Sequence, residues 1–248
     1  MELKKTNHNL KALILAGGRG KRLEAVNNTK NKCMLLYKDK PLIEYNIIHA
    51  INADVSEIII VVGYKAEDII DYFGNNYKGT QLRYIIQEKQ KGLVHAIECS
   101  KDKIGKSDFI LFLGDEFLID PDHNKMIETF YSQNITALCG IIRAKEVKDI
   151  SKTYTVIQDN SSSIFRLIEK PNNPIPGNNI MGTGNCIFKN HIFDYIDETP
   201  INQKRGEKEL VDLIQSAIDN GHTVKSFELD SIYMNINDES DLNILNKQ

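Results

Sequence analysis

Four short runs of Ile, Val and Leu, at 11–15, 57–62, 82–86 and 109–113, alternate with helical patterns at 42–53, 67–73 and 93–100. Runs this short and this uniformly apolar suit strands covered on both faces. Strand–helix alternation at such spacing predicts a mainly parallel sheet with right-handed crossovers. In an open sheet of that kind ligands collect beyond the carboxyl ends of the strands. The turns at 17–22 and at Gly114-Asp115-Glu116 follow the first and fourth runs and are expected to face that crevice.

The first turn has unusual chemistry. Leu13-Ile14-Leu15-Ala16 leads into Gly17-Gly18-Arg19-Gly20-Lys21-Arg22-Leu23, and Lys32 lies downstream. Glycines let a backbone turn sharply and approach a ligand closely. Free N–H groups in such a turn, flanked by Arg and Lys, can hold a polyphosphate. The spacing matches neither the dinucleotide fingerprint nor the P-loop. A ligand-free strand-to-helix turn would read the same on this segment alone.

The second half is less regular. Segments 136–143, 153–158 and 164–169 read as strands, the last two as an antiparallel hairpin around a turn at 159–163. The stretch 172–179 is a loop rich in Asn, Pro and Gly, and 184–188 is a short strand. Residues 208–220 form an amphipathic helix closed by Gly221. Segments 224–229 and 231–236 follow as strands, and a last helix begins near 238. The expected division is one domain over 1–248, with a nucleotide-binding half over about 10–120 and a substrate half over about 121–248.

Charge and cysteines narrow the function classes. A net charge of −3 gives no general reason to bind nucleic acid or an anionic membrane, so a phosphate site must be a local cluster of cations. Cys33, Cys99, Cys139 and Cys186 are scattered without a C-x-x-C pair, which argues for free thiols in a reducing compartment. No apolar run approaches the roughly twenty residues of a membrane span, and the one near the start is too short for a signal peptide. The expected location is the cytoplasm.

The pattern G-G-x-G-x-R-L followed by Lys32 resembles the signature of sugar-1-phosphate nucleotidyltransferases. Further segments are similar to that family in the same order along nearly the whole chain. They are Gln87 with Gly92-Leu93, Leu113-Gly114-Asp115, Tyr154-Thr155-Val156, Glu169-Lys170-Pro171, Thr183-Gly184, the acidic stretch 207–212 and Tyr233-Met234-Asn235-Ile236. The resemblance implies an α/β, Rossmann-like (GT-A-like) fold: a mixed, mainly parallel sheet with helices on both faces and a small β-rich sugar-binding subregion. It also implies a reaction, in which a nucleoside triphosphate and a sugar 1-phosphate give a nucleotide sugar and pyrophosphate, with Mg²⁺ as cofactor and a homo-oligomer possible.

The implied roles follow the matched positions. Arg22, Lys32 and Lys170 are the catalytic cations. Leu15, Ala16, Gly17, Gly18, Gly20, Gln87 and Gly92 bind the nucleotide. Tyr154, Thr155, Glu169, Lys170, Thr183 and Gly184 face the sugar. Asp115 and Asn235 hold the metal. The attacking phosphate oxygen is already ionised, so no general base is needed, and none of the six histidines lies in a matched motif. Cations offset the charge on the two reacting anions and on the leaving pyrophosphate. The amide of Gln87 offers a donor and an acceptor that suit uracil or thymine, so UTP or dTTP is favoured over CTP. A cytidylyltransferase or other nucleotidyltransferase acting on a different phosphorylated sugar or alcohol, and a non-catalytic nucleotide-sugar sensor, are the alternatives.

Three departures from the family pattern carry expectations. Ala25, Asn31, Cys33 and Leu36 stand where many members have prolines, which predicts a more mobile loop when empty. Asn235 replaces the usual Asp, which predicts weaker metal binding. Thr155 replaces a glycine and is expected to narrow the approach to the sugar. The chain ends soon after the last motif, so a second acyltransferase activity or a tail-dependent effector site is not expected of it.

Overall fold

The computed structural model describes residues 9–19, 31–173, 175–229, 231–236 and 241. In chain order the main strands are β1 (Leu10–Ala16), β2 (Ile58–Val62), β3 (Asn76–Tyr77), β4 (Thr80–Ile86), β5 (Asp108–Leu113), β6 (Glu116–Ile119), β7 (Ala137–Arg143), β8 (Tyr154–Gln158), β9 (Ile164–Glu169), β10 (Ile180–Phe188), β11 (Val224–Glu228) and β12 (Ile232–Asn235). The main helices are α1 (Leu42–Asn52), α2 (Ala66–Phe73), α3 (Leu93–Cys99), α4 (His123–Ser132) and α5 (Leu210–Asp219).

One eight-stranded sheet runs in the order β11-β7-β10-β5-β1-β2-β4-β3. The pairs β1–β2, β1–β5, β2–β4 and β7–β11 are parallel. Alternate side chains of the central strands feed two separate cores. Leu13, Leu15, Ile59, Val61, Phe109 and Leu111 point to the face covered by α3, α5 and the β8–β9 hairpin. Ala12, Ile14, Ile58, Ile60, Ile110 and Phe112 point to the face covered by α1, α2 and α4. Burial on both faces is why these strands read as unbroken apolar runs. The mixed α/β architecture with a mainly parallel sheet is the one expected.

The second half departs from the expectation in three places. The strand predicted over 184–188 begins at Ile180 and lies deep in the sheet, antiparallel to both β5 and β7. It is buried along its whole length, so Asn, Thr and Gly within it are core positions rather than loop. The ladder between β6 and β12 and the helix α4 were not anticipated. The last predicted helix lies outside the described residues except for 241. Strands β7 and β11, from the second half, extend the same sheet as β1, β2, β4 and β5.

Candidate active site

The carboxyl ends of β1, β2, β4 and β5 meet at one edge. Gln87 N–H donates to the Val62 carbonyl at 2.7 Å, Tyr64 N–H to Gly17 at 3.3 Å and Gly114 N–H to Leu15 at 2.8 Å. The antiparallel β10 enters the sheet at this same edge. Its pairing register with β7 shifts between Gly182 and Cys186, which places Thr183 and Gly184 at an irregularity facing the cleft. The cleft has a volume of about 690 Å³, within the usual range for small-molecule sites.

The sequence-predicted residues converge on this cleft with few exceptions. Leu15, Ala16, Gly17, Gly18, Gln87 and Gly92 line one side. Tyr154, Glu169, Lys170, Thr183 and Gly184 line the other. Lys32, Asp115 and Asn235 line the same cavity. Gly20 and Arg22 lie outside the described residues. Thr155 does not reach the cleft: it is buried, and its hydroxyl donates to the Ile180 carbonyl at 2.8 Å. Successive residues of a strand face opposite ways, so Tyr154 faces the cavity and Thr155 cannot. The expected narrowing by Thr155 is thereby corrected.

The group around Gln87 is pre-ordered. Gln87 is buried, its Nε2 donates to the Gly92 carbonyl at 3.1 Å, and the same nitrogen lies 2.9 Å from His95 Nδ1. Both amide hydrogens are therefore used inside the protein, which leaves Oε1 as the group that can meet a ligand. That narrows the donor-and-acceptor reading of Gln87 to an acceptor. His95, which no motif singles out, positions it. Gly92 has φ +93°, and a Cβ there would stand 2.8 Å from the Glu207 side chain. Only glycine satisfies both conditions.

Lys32 is held by an anchor that sequence reasoning misread. Asn31 is fully buried. Its Nδ2 donates to the Tyr64 carbonyl at 2.7 Å, its Oδ1 accepts from Cys33 N–H at 2.9 Å, and its own N–H donates to Asp68 at 2.7 Å. It caps a short 3₁₀ turn, Lys32–Met34. At Asn31 and Cys33 hydrogen bonds do what a proline's fixed φ would do. Residues 20–30 lie outside the described residues. The Lys32 ammonium reaches Asp115 Oδ2 at 2.6 Å.

Cations and carboxylates alternate around the cavity. Lys170 pairs with Glu169 at 3.0 Å and Arg205 with Glu209 at 2.8 Å, while Arg205 also lies 3.7 Å from Glu169. Lys170 has φ +41°, an uncommon backbone state for a residue with a side chain. Burial raises the Glu169 carboxyl above its ordinary range, against the pull of Lys170. Arg19 lies 5.8 Å from the centre of the Tyr64 ring. The local cation cluster required by the chain's negative net charge is present as Arg19, Lys32, Lys152, Lys170 and Arg205. Arg205 and Lys152 carried no recognisable signal in the sequence.

Asp115 and Asn235 are brought together by the unanticipated ladder. Ile236 N–H donates to the Asp115 carbonyl at 3.2 Å, and Asn235 pairs with Glu116 in register. Asn235 Nδ2 donates to the Tyr233 hydroxyl at 3.1 Å, while its Oδ1 is buried without a partner. An orphaned amide oxygen beside a carboxylate is a hard-oxygen donor set of the kind Mg²⁺ takes together with phosphates and water. Among the described residues no three His, Cys, Asp or Glu side chains come together as a metal cluster. Glu116 is also buried. Burial pushes its carboxyl up to about 8, while the Tyr233 hydroxyl and the Gly184 N–H favour the charged form.

Fold and cleft together define an α/β nucleotide-site architecture: a glycine turn and two strand-end polar residues on one side, a Glu–Lys pair on a hairpin on the other. The chain belongs to the nucleotidyl transferase family, whose profile matches residues 11–234. It is 31% identical over 220 residues to the low-salt glycan biosynthesis nucleotidyltransferase Agl11 of Haloferax volcanii, covering 88% of this chain and 59% of that protein. It is 29% identical over 228 residues to the UTP–glucose-1-phosphate uridylyltransferase AglF of the same organism, covering 92% and 91%. The chain spans between 47% and 59% of the length of four curated relatives that it matches, Agl11 among them. A crystal structure of UDP-glucose pyrophosphorylase complexed with UDP-glucose shares the fold, with a TM-score of 0.83, 23% identity and coverage of 96% and 99%.

Proposed function

We propose that the protein transfers a nucleoside monophosphate from UTP or dTTP to a sugar 1-phosphate, releasing pyrophosphate. The observation that carries this reading is the convergence of Lys32, Asp115, Gln87, Glu169 and Lys170 on one cleft from four separate segments. The part of the chain over about 10–120 supplies the nucleotide side, and about 121–248 most of the sugar side.

In this reading the nucleobase lies against Gln87 and Gly92. Oε1 of Gln87 accepts the N3–H of uracil or thymine. Cytosine carries an acceptor at N3, so the same pose would set two acceptors face to face. The triphosphate crosses the Gly17–Gly18 turn, with Gly20 and Arg22 assigned on the motif alone. The sugar lies between Tyr154, Glu169 and Thr183, and Glu169 accepts hydrogen bonds from its hydroxyls. Lys170 holds the sugar phosphate, and Lys32 the α-phosphate. Both ammonium groups now rest on carboxylates and would exchange them for phosphate oxygens. The sugar phosphate oxygen then attacks the α-phosphorus, and the bond to the pyrophosphate oxygen breaks. Asp115 and Asn235 would hold Mg²⁺, which offsets the charge that two approaching anions create.

The relative named as a UTP–glucose-1-phosphate uridylyltransferase supports UTP and glucose 1-phosphate as the first pair to try. The test is pyrophosphate release with Mg²⁺, glucose 1-phosphate and each of UTP, dTTP, CTP, ATP and GTP. Turnover with UTP or dTTP at least tenfold above CTP is expected. Turnover with CTP alone would favour the cytidylyltransferase reading. Silence with all five, repeated with amino-sugar and other hexose 1-phosphates, would overturn catalysis in favour of a binding role.

A further inference from the structure

The β6–β12 ladder sets Glu116 directly opposite Asn235, and residues so paired hold their Cβ atoms roughly 5 Å apart on one face. Glu116 is 1% exposed and lines the cleft. Its Oε1 accepts from Gly184 N–H at 2.8 Å, and the close packing there leaves no room for a side chain at 184, where a Cβ would come 2.1 Å from that oxygen. The carboxyl also faces the Tyr233 hydroxyl, and its other oxygen, Oε2, is buried with no further partner. So is Oδ1 of Asn235 across the ladder. Two orphaned acceptors on facing residues, with the Asp115 carboxylate adjoining, cannot satisfy one another. A donor or a cation between them would satisfy both, and the Asn235 amide nitrogen donates elsewhere, to the Tyr233 hydroxyl.

We infer that Glu116 supplies the cation site with the second carboxylate that Asn235 lacks, so that Asp115, Glu116 and Asn235 bind the divalent metal together. The inference rests on the metal-dependent reading of the cleft and adds a residue to it. Through Oε1 the same carboxylate grips the Gly184 backbone, tying the metal to the wall assigned to the sugar. Mg²⁺ accepts one or two carboxylates with water and phosphate completing its shell, which this set satisfies.

The test is Mn²⁺ binding to the whole protein without nucleotide, read from the paramagnetic resonance signal of free Mn²⁺. Glu116→Gln keeps an oxygen for Gly184 and removes only the charge. It is expected to weaken Mn²⁺ binding at least tenfold, as Asp115→Asn should, and Glu116→Gln with Asn235→Asp should return to within threefold of wild type. A purely structural Glu116 would not be rescued in that way. Equal affinity of Glu116→Gln and wild type, with Asp115→Asn impaired, overturns the inference and leaves the metal-dependent reading standing. No Mn²⁺ binding by wild type overturns both. Should Glu116→Gln not fold, Asn235→Asp alone decides: a gain below threefold fits a site that already has two carboxylates, and a gain of tenfold or more contradicts it.

Discussion

Gln87 shows how one side chain's internal bonds determine what it can offer a ligand. Its amide hydrogens are spent on Gly92 and His95, so its outward character is that of an acceptor. Gln87→Ala is expected to lower kcat/KM for UTP about tenfold, the cost of one hydrogen bond at roughly 1.4 kcal/mol. It should leave kcat/KM for CTP within about threefold. A steady-state comparison of the two triphosphates checks this, and an equal fall for both would detach Gln87 from base choice. His95→Ala should reproduce part of the effect, because a freed Nε2 lets the amide rotate. The residue type of Gln87 was legible from its motif. The orientation of its amide was not, since that depends on a helix residue eight positions away.

At the scale of elements, the short 3₁₀ turn at Lys32–Met34 explains how Lys32 is held without prolines. Asn31 donates to or accepts from four groups across β1, the turn and α2. Asn31→Ala should cost about 2–3 kcal/mol in urea unfolding, since it leaves buried partners unpaired. It should also lower kcat with little change in the KM for UTP, because Lys32 is positioned by that turn. An unchanged unfolding midpoint would refute the anchoring role. The strands and helices of the first half were readable because burial on both faces writes an unmistakable apolar run. The second half was less so. β10 is central yet carries Thr183, Gly184 and Asn185, polar or small residues that a loop would also carry, and their place is decided by a pairing irregularity against β7. The β6–β12 ladder joins segments more than a hundred residues apart, which no local pattern announces.

Across the whole molecule, the eight-stranded sheet carries one wall of the cleft and, through β10, part of the other, so stability and site geometry are linked. Two imidazoles sit under the sheet, His123 buried and His49 half-buried: they stack edge to face at 5.3 Å, and His123 Nε2 lies 3.0 Å from Asn185 Oδ1. Asn185 adjoins Gly184 in the cleft wall. Burial lowers the His123 pKa from 6.5 to about 3 and lowers that of His49 as well. The unfolded chain binds protons at these sites before the folded one does. Stability from His123 is therefore complete above pH 6.5 and falls as pH drops from there toward 3, by up to about 1.4 kcal/mol per pH unit. Urea midpoints at pH 7.5 and 5 should differ accordingly, and His123→Gln should flatten the slope even where it lowers the midpoint. A wild-type midpoint that does not fall over this interval would contradict the buried neutral state. Among the described residues no helix is long and apolar enough to cross a membrane.

The central claim is that one cleft brings a nucleoside triphosphate and a sugar phosphate together for direct attack. The most direct measurement is pyrophosphate release from UTP, with and without glucose 1-phosphate, by wild type and Lys170→Ala. Release that requires the sugar phosphate is expected, with kcat/KM for the sugar phosphate reduced at least a hundredfold in the variant and UTP binding unchanged within threefold. Pyrophosphate released without the sugar phosphate, or a variant as active as wild type, would contradict the claim.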